Sequence, residues 1–295
     1  MRHPRRMLAA AAVLAMAGLI GTPAHARKKA PAPVVQAPIQ ATPELLAMID
    51  AAIRDGRLPA AREAIGRAWA SGSPEVQLRA AELALASDSL PEAADAFTQL
   101  LADPAMAARA GQGLGLTQLR QGKTTEAVAT LDKALAADPT LVRAWNARAV
   151  AADRLKDWAG ADAAYARAIA LAPDDADVLT NRGYSLLLRE RFTAAEMDLA
   201  RAVAIAPQNS VARTNLRIAR AMQGRYEEAF QGATKASLAE DLNTVGYVAM
   251  ARGDLSVAEA YFNRAMSLNP AFDRVAWANL QYLKSLQGRA RAEEK

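Results

Sequence analysis

The 295 residues are 52% hydrophobic but only 5% aromatic, and they contain no cysteine. This excludes disulfide staples, thiol nucleophiles and lipid attachment at cysteine, and it favours closely packed alanine- and leucine-rich helices over a β-sandwich. The formal charge of +5 is concentrated at the front of the chain.

Residues 1–26 read as a cleavable signal peptide. Arg2, Arg5 and Arg6 give the positive start, Met7 to Ile20 the apolar run, and Ala24-His25-Ala26 the small-x-small site, with cleavage after Ala26. About 14 apolar residues are too few to span a bilayer comfortably, so no transmembrane segment is expected after cleavage. Export through the general or the twin-arginine route is left open. Loss of three arginines and no acids leaves 33 basic against 31 acidic residues, or +2; without Arg27, Lys28 and Lys29 the body stands at −1. Nucleic acid is therefore a poor partner.

Residues 27–41 (RKKAPAPVVQAPIQA) carry Pro31, Pro33 and Pro38 without helical period. They are expected to form an extended Pro-rich tether whose basic start offers at most a weak contact to anionic surfaces.

Helical punctuation begins at Thr42-Pro43, a capping residue followed by proline at the first helical position. Unit one, 42–73, has a first helix near Pro43–Arg54, a turn at Gly56 and a second helix near Pro59–Ala70, with Ala61, Ile65 and Ala68 in a small–large–small frame. Unit two, 74–107, repeats the frame with Ala93, Phe97 and Leu100, and Ser89-x-x-Glu92 reads as a capping box. Units three to five, 108–141, 142–175 and 176–209, are strictly in phase. Pro139, Pro173 and Pro207 are equally spaced, preceded by Ala127, Ala161 and Ala195, by Leu131, Tyr165 and Leu199, and by Ala134, Ala168 and Ala202. Caps are expected at Thr140, at Asp174 or Asp175, and at Ser210.

In unit six, 210–238, Ala229, Ala233 and Ala236 keep part of the frame, Arg217 stands at the small position, and the unit is short. Unit seven, 239–272, restores it with Gly246, Ala258, Phe262, Ala265 and Pro270. A capping helix, 273–287, turns Leu280 and Leu283 inward and ends at Gly288, before an expected disordered tail, 288–295.

A period of 34 with this pattern resembles the tetratricopeptide repeat (TPR) family, over nearly the whole of 42–287. Trp145 falls at the family's tryptophan, and Gly115, Ala149 and Gly183 at its small position. The resemblance implies an all-α right-handed superhelical solenoid of about seven helix-turn-helix units, whose first (A) helices line a concave face that binds an extended peptide or another protein. At those positions stand Arg109 and Gln112, Arg143 and Asn146, Thr180, Asn181 and Tyr184, Asn215, then Asn243 and Tyr247. A ladder of amides offers donors and acceptors to a peptide backbone whatever its sequence, and the tyrosines add apolar area with a polar tip. The binding set is Arg143, Asn146, Asn181, Tyr184, Asn215, Asn243 and Tyr247. The family's carboxylate clamp is not reproduced, because lysines are missing from these positions.

Both histidines, His3 and His25, lie in the signal, so the mature chain lacks the usual zinc ligands and any Ser-His-Asp set. No catalytic residue, metal or cofactor is expected. Gly111-Gln112-Gly113-Leu114-Gly115 lies within a helix and is read as packing glycine, not a phosphate loop. Asp174, Asp175 and Asp177, or Glu227 and Glu228, make a carboxylate-based hydrolase the last reading, since the aspartates start a helix and the glutamates diverge by about 100°. Trp158, Phe192 and Tyr226 recur at one position and read as inter-repeat core. The sequence thus points to a periplasmic or secreted scaffold or adaptor that holds a protein or peptide while a cell-envelope complex, such as a pilus or secretion apparatus, is assembled. Exported TPR proteins of tight-adherence pilus loci are broadly similar, although they often carry a lipid-anchoring cysteine. The alternative is a glycan- or polymer-binding envelope factor.

Overall fold

The computed structural model describes residues 40–268 and 274–293; the expected signal, nearly all of the tether and Pro270 lie outside them. All regular structure among the described residues is helical. The chain divides into two compact bodies that meet in sequence between Pro173 and Asp174.

The N-terminal body is four helical hairpins in chain order. They are α1 (Pro43–Arg54) with α2 (Leu58–Ala68), α3 (Pro74–Ala86) with α4 (Leu90–Leu100), α5 (Ala107–Arg120) with α6 (Thr124–Ala137), and α7 (Val142–Arg154) with α8 (Trp158–Leu171). A 3-10 turn, Trp69–Ser71, follows α2. Thr42 starts the first hairpin, its Oγ1 accepting from the Leu45 N–H at 3.3 Å with Pro43 at the first helical position. Within each hairpin the small–large–small frame forms the contact. Ala61, Ala93, Ala127 and Ala161 are buried, and so are Ile65, Phe97, Leu131 and Tyr165. Burying each of those larger side chains contributes about 1.5–3 kcal/mol, an upper figure because the unfolded chain is itself partly collapsed.

The glycines set how closely the helices approach. A Cβ on Gly113 would collide with the Phe97 ring, and one on Gly115 would stand 2.5 Å from Leu131. Glycine tolerance is therefore used here for close packing between α4, α5 and α6, as the helical reading of Gly111–Gly115 requires.

The C-terminal body contains α9 (Ala176–Leu188) with α10 (Phe192–Ile205), α11 (Ser210–Met222), α12 (Leu238–Arg252) with α13 (Leu255–Leu268), and α14 (Arg274–Glu293). Ala195, Leu199 and Ala202 pack as their equivalents do, and so do Ala258, Phe262 and Ala265. Unit six differs. Where a second helix belongs there is only a 3-10 turn, Glu228–Phe230, followed by Gly232 at φ 78°. Ala229 is buried, but Ala233 is half-buried and Ala236 exposed, so the alanine frame read over this unit is not used as helix packing. Arg220, Arg225 and Glu228 join Glu196 of α10 in its place. Arg220 reaches Glu196 at 3.1 Å, Arg225 pairs with both Glu196 and Glu228, and Gln223 donates to Glu196 at 3.0 Å.

Arg217 is buried and meets the equally buried Asp241 of α12 at 2.9 Å, each side chain 6% exposed. The Ser237 hydroxyl donates to Asp241 at 2.9 Å. Burial pulls the Arg217 guanidinium below its usual range, against the opposing pull of Asp241.

Four local expectations are corrected. Asn209, not Ser210, caps α11, its side chain accepting from the Ala212 N–H at 3.0 Å. Leu141 holds the cap position of α7 while the Thr140 hydroxyl donates to Asp138 at 2.6 Å, and Ser89 stands at the cap of α4 without a side-chain bond. Asp175 does cap α9, accepting from the Asp177 and Val178 N–H groups. Helix α14 runs through Gly288 to Glu293, because one helical glycine costs only about 1 kcal/mol and good helix formers follow it.

One feature of the turns recurs with the repeat. Asp88, Gly122, Lys156, Glu190 and Gly224 are equally spaced at the repeat period, and all sit at positive φ, from 58° to 79°. Each turn from a first helix to its second needs a left-handed residue, and three of these five positions are not glycine.

Candidate functional site

On the N-terminal body, the expected site residues lie in a charged setting. The Arg109 Nη1 reaches both Glu75 oxygens, at 3.0 and 2.9 Å. Arg79, seated one turn beyond Glu75 on α3, pairs with Glu75 and with Asp50 of α1, the latter at 2.8 Å. Burial pushes the Glu75 carboxyl up, but Arg109 and Arg79 together hold it below the usual range. Arg109 is thus committed to a structural chain. Gln112 is buried, Asn146 half-buried, and Arg143 exposed.

On the C-terminal body, the Thr180 hydroxyl donates to the Ala176 carbonyl of its own helix at 2.6 Å and is buried, which removes it from any binding role. Asn181 and Tyr184 are half-buried on the same helix, α9. Asn215 of α11 is only 2% exposed, and among the described residues its Oδ1 has no hydrogen-bond partner. Asn243 of α12 accepts from the Asn279 Nδ2 of α14 at 2.9 Å. Tyr247 is half-buried, and burial, then the neighbouring Tyr282, raises its phenol above the usual range.

Asn279 and Tyr282 were missed by the sequence reading, which treated α14 as a cap alone. They follow Asn243 and Tyr247 at close to one repeat period, so the repeat spacing itself held the signal. Tyr282 is 42% exposed and carries the amide-and-tyrosine chemistry onto the last helix.

The carboxylates have structural employment. Asp174 pairs with Arg201 at 2.7 Å, Asp175 caps α9, and Glu228 pairs with Arg225 at 2.9 Å. Phe192 and Tyr226 pack on core clusters, and the Tyr226 hydroxyl donates to Asp254. Trp145 of α7 uses its ring N–H to hold the Pro139 carbonyl at 2.9 Å, and Arg213 holds the Pro207 carbonyl in the same way two repeats on. Arg120 and Arg154 likewise each donate to a carbonyl about one repeat earlier, Leu85 and Leu119, both at 2.6 Å. These are repeat-to-repeat staples.

Stacked helical hairpins with polar side chains on successive first helices are the architecture of a repeat solenoid, in which each unit packs on its neighbours. Family profiles described as tetratricopeptide repeat match residues 78–142, 113–162 and 146–210, and a further one matches 242–272, together more than half of the chain. The chain belongs to the tetratricopeptide repeat family. No curated protein matches it. Among solved structures, it is similar to a tetratricopeptide repeat protein from Parabacteroides merdae, at 14% identity and TM-score 0.51, covering 82% of this chain and 98% of that one. It is also similar to YrrB, described as a TPR protein with an unusual peptide-binding site, at 20% identity and TM-score 0.50, over 63% and 97% of the two chains. The Cut9–Hcn1 assembly of the APC/C matches at 14% identity and TM-score 0.56, over 82% of this chain and 46% of that one. At these identities the likeness is one of fold.

Proposed function

We propose that the chain is an exported scaffold or adaptor that holds a protein or extended peptide against the first-helix faces of its repeats. The envelope setting rests on the signal-like residues 1–26, and the role in building a complex such as a pilus or secretion apparatus follows from export combined with a binding fold. The observation that carries the binding is the amide-and-tyrosine pair on first helices of one body, Asn181 with Tyr184 on α9 and Asn243 with Tyr247 on α12, each half-buried and so within reach of a ligand. Asn215 stands at the position of Asn181 on the next first helix, and Asn243 stands one residue earlier in its own repeat, at the position of Asn146 in the other body, so that amides recur from repeat to repeat and suit a ligand offering carbonyl and N–H groups at intervals. YrrB, of the same fold, is described as having a peptide-binding site, and that mode is carried over here.

The test is an array of immobilised peptides and soluble glycans probed with the full chain and with an Asn181→Ala, Asn243→Ala variant. Loss of about two hydrogen bonds should weaken peptide binding roughly tenfold or more while helicity is kept. Signal on glycans alone would sink the peptide reading in favour of an envelope polymer.

A further inference from the structure

Among the charged side chains on the first helices of the N-terminal body are Asp50 on α1, Glu75, Arg79 and Glu82 on α3, Arg109 on α5 and Arg143 on α7, which act on one another through charge. Four of them form a closed chain from Asp50 through Arg79 and Glu75 to Arg109, in which every charge has an opposite partner. Glu82 is left out. It lies two turns after Glu75 and one after Arg79, so it continues their stripe along α3. It is half-buried, yet its carboxyl has no hydrogen bond or ion pair among the described residues. The arginines around it are spoken for. Arg79 is bonded to Asp50 and Glu75, Arg109 to both Glu75 oxygens, and Arg143 acts on it from beyond pairing distance. Burial, first of all, then Asp50, hold the Glu82 carboxyl above the usual range against the opposing pull of Arg143, Arg109 and Arg79.

A partly dehydrated carboxylate is costly unless something donates to it. Among the described residues, none places a donor within hydrogen-bond reach of Glu82. We propose that Glu82 seats a single cationic group of the bound chain, a lysine ammonium, an arginine guanidinium or a free N-terminus. Charge complementarity selects the sign. Arg143, exposed on α7, limits the site to one charge, because a run of basic residues would meet it. The assignment rests on the first-helix faces being the binding faces and adds what the ligand must carry.

The experiment has two arms on the full chain. In the first, N-acetyl-lysine-N-methylamide and its norleucine counterpart, which share the methylene stem and differ in the ammonium, are titrated to millimolar concentration while the glutamate side-chain carbons are followed by NMR. The lysine amide should shift Glu82 saturably, norleucine should not, and the exposed Glu63 should respond to neither. In the second arm, decapeptides of alanine, serine and asparagine with one central lysine or norleucine are compared on wild type and on Glu82→Gln, whose fold is checked by circular dichroism. Lysine should bind about tenfold more tightly, as a charge-assisted hydrogen bond warrants, and the advantage should vanish in the variant. Equal response of Glu82 to both amides overturns the proposal whatever the peptides do. A lysine-specific shift without peptide binding keeps the cation seat and removes the extended-peptide reading instead.

Discussion

The Arg217–Asp241 pair joins α11 to α12 where a whole helix is missing, and it allows a quantitative test. Both side chains are 6% exposed, and their charged atoms meet at 2.9 Å. Two unit charges about 4 Å apart at an effective dielectric of ~20 attract by about 4 kcal/mol, much of which is spent on taking them out of water. Asp241→Asn leaves a buried guanidinium with no counter-charge and an Nε that already lacks a partner. The expected loss is about 3–5 kcal/mol. Arg217→Met with Asp241→Leu removes both charges and should be within about 1 kcal/mol of wild type or more stable. Repeat arrays do not unfold as one unit, so amide hydrogen exchange resolved by residue is the right assay, with protection in α11 and α12 as the reading. If Asp241→Asn costs less than about 1 kcal/mol there, or the double variant is as damaged as the single one, the pair does not hold the seam.

Ala161→Trp should cost on the order of 1–3 kcal/mol or more by overpacking a fully buried contact, seen as a lowered melting temperature of the N-terminal body. Glu190→Gly and Lys156→Gly should each be neutral to about 1 kcal/mol stabilising, because φ of 58° and 59° strains a side chain and suits glycine; clear destabilisation in urea would show that those side chains do something else. The Tyr226 phenol is pushed up to about 12 by burial and then by its bond to Asp254. Raised above its unfolded value, it contributes stability that is complete below pH ~10 and is lost as pH rises towards 12. Tyr226→Phe should flatten that alkaline decline, and an unchanged slope in pH-dependent denaturation would count against it.

The helical hairpins were legible because their packing is local and periodic. Ala127, Ala161 and Ala195 recur at the repeat period, and each meets a partner within its own hairpin. What escaped was chemistry that depends on a neighbour known only once the chain is folded. Arg217 reads in sequence as a fault in the small position; its meaning needs Asp241, and that contact exists because unit six lacks its second helix. Asn215 was legible as a member of a ladder, but its near-complete burial was not, nor was the pairing of Asn243 with Asn279. Glu82 carried no motif at all. Its interest lies in the partners taken by the arginines around it.

The truncated sixth unit has a consequence for the environment in which the protein works. Most seams of such an array are closed by apolar contact, which salt strengthens or leaves alone. Unit six adds to its apolar contacts the ion pairs of Glu196, Arg220, Arg225 and Glu228, partly open to water, on the α10 side, and the buried pair of Arg217 and Asp241 on the α12 side. Exposed ion pairs weaken over a screening length of about 8 Å at physiological ionic strength, whereas buried ones hardly respond. A compartment whose salt follows the outside medium would therefore loosen the exposed pairs first and leave the buried pair and the apolar contacts in place, making unit six the osmotically responsive joint of the C-terminal body.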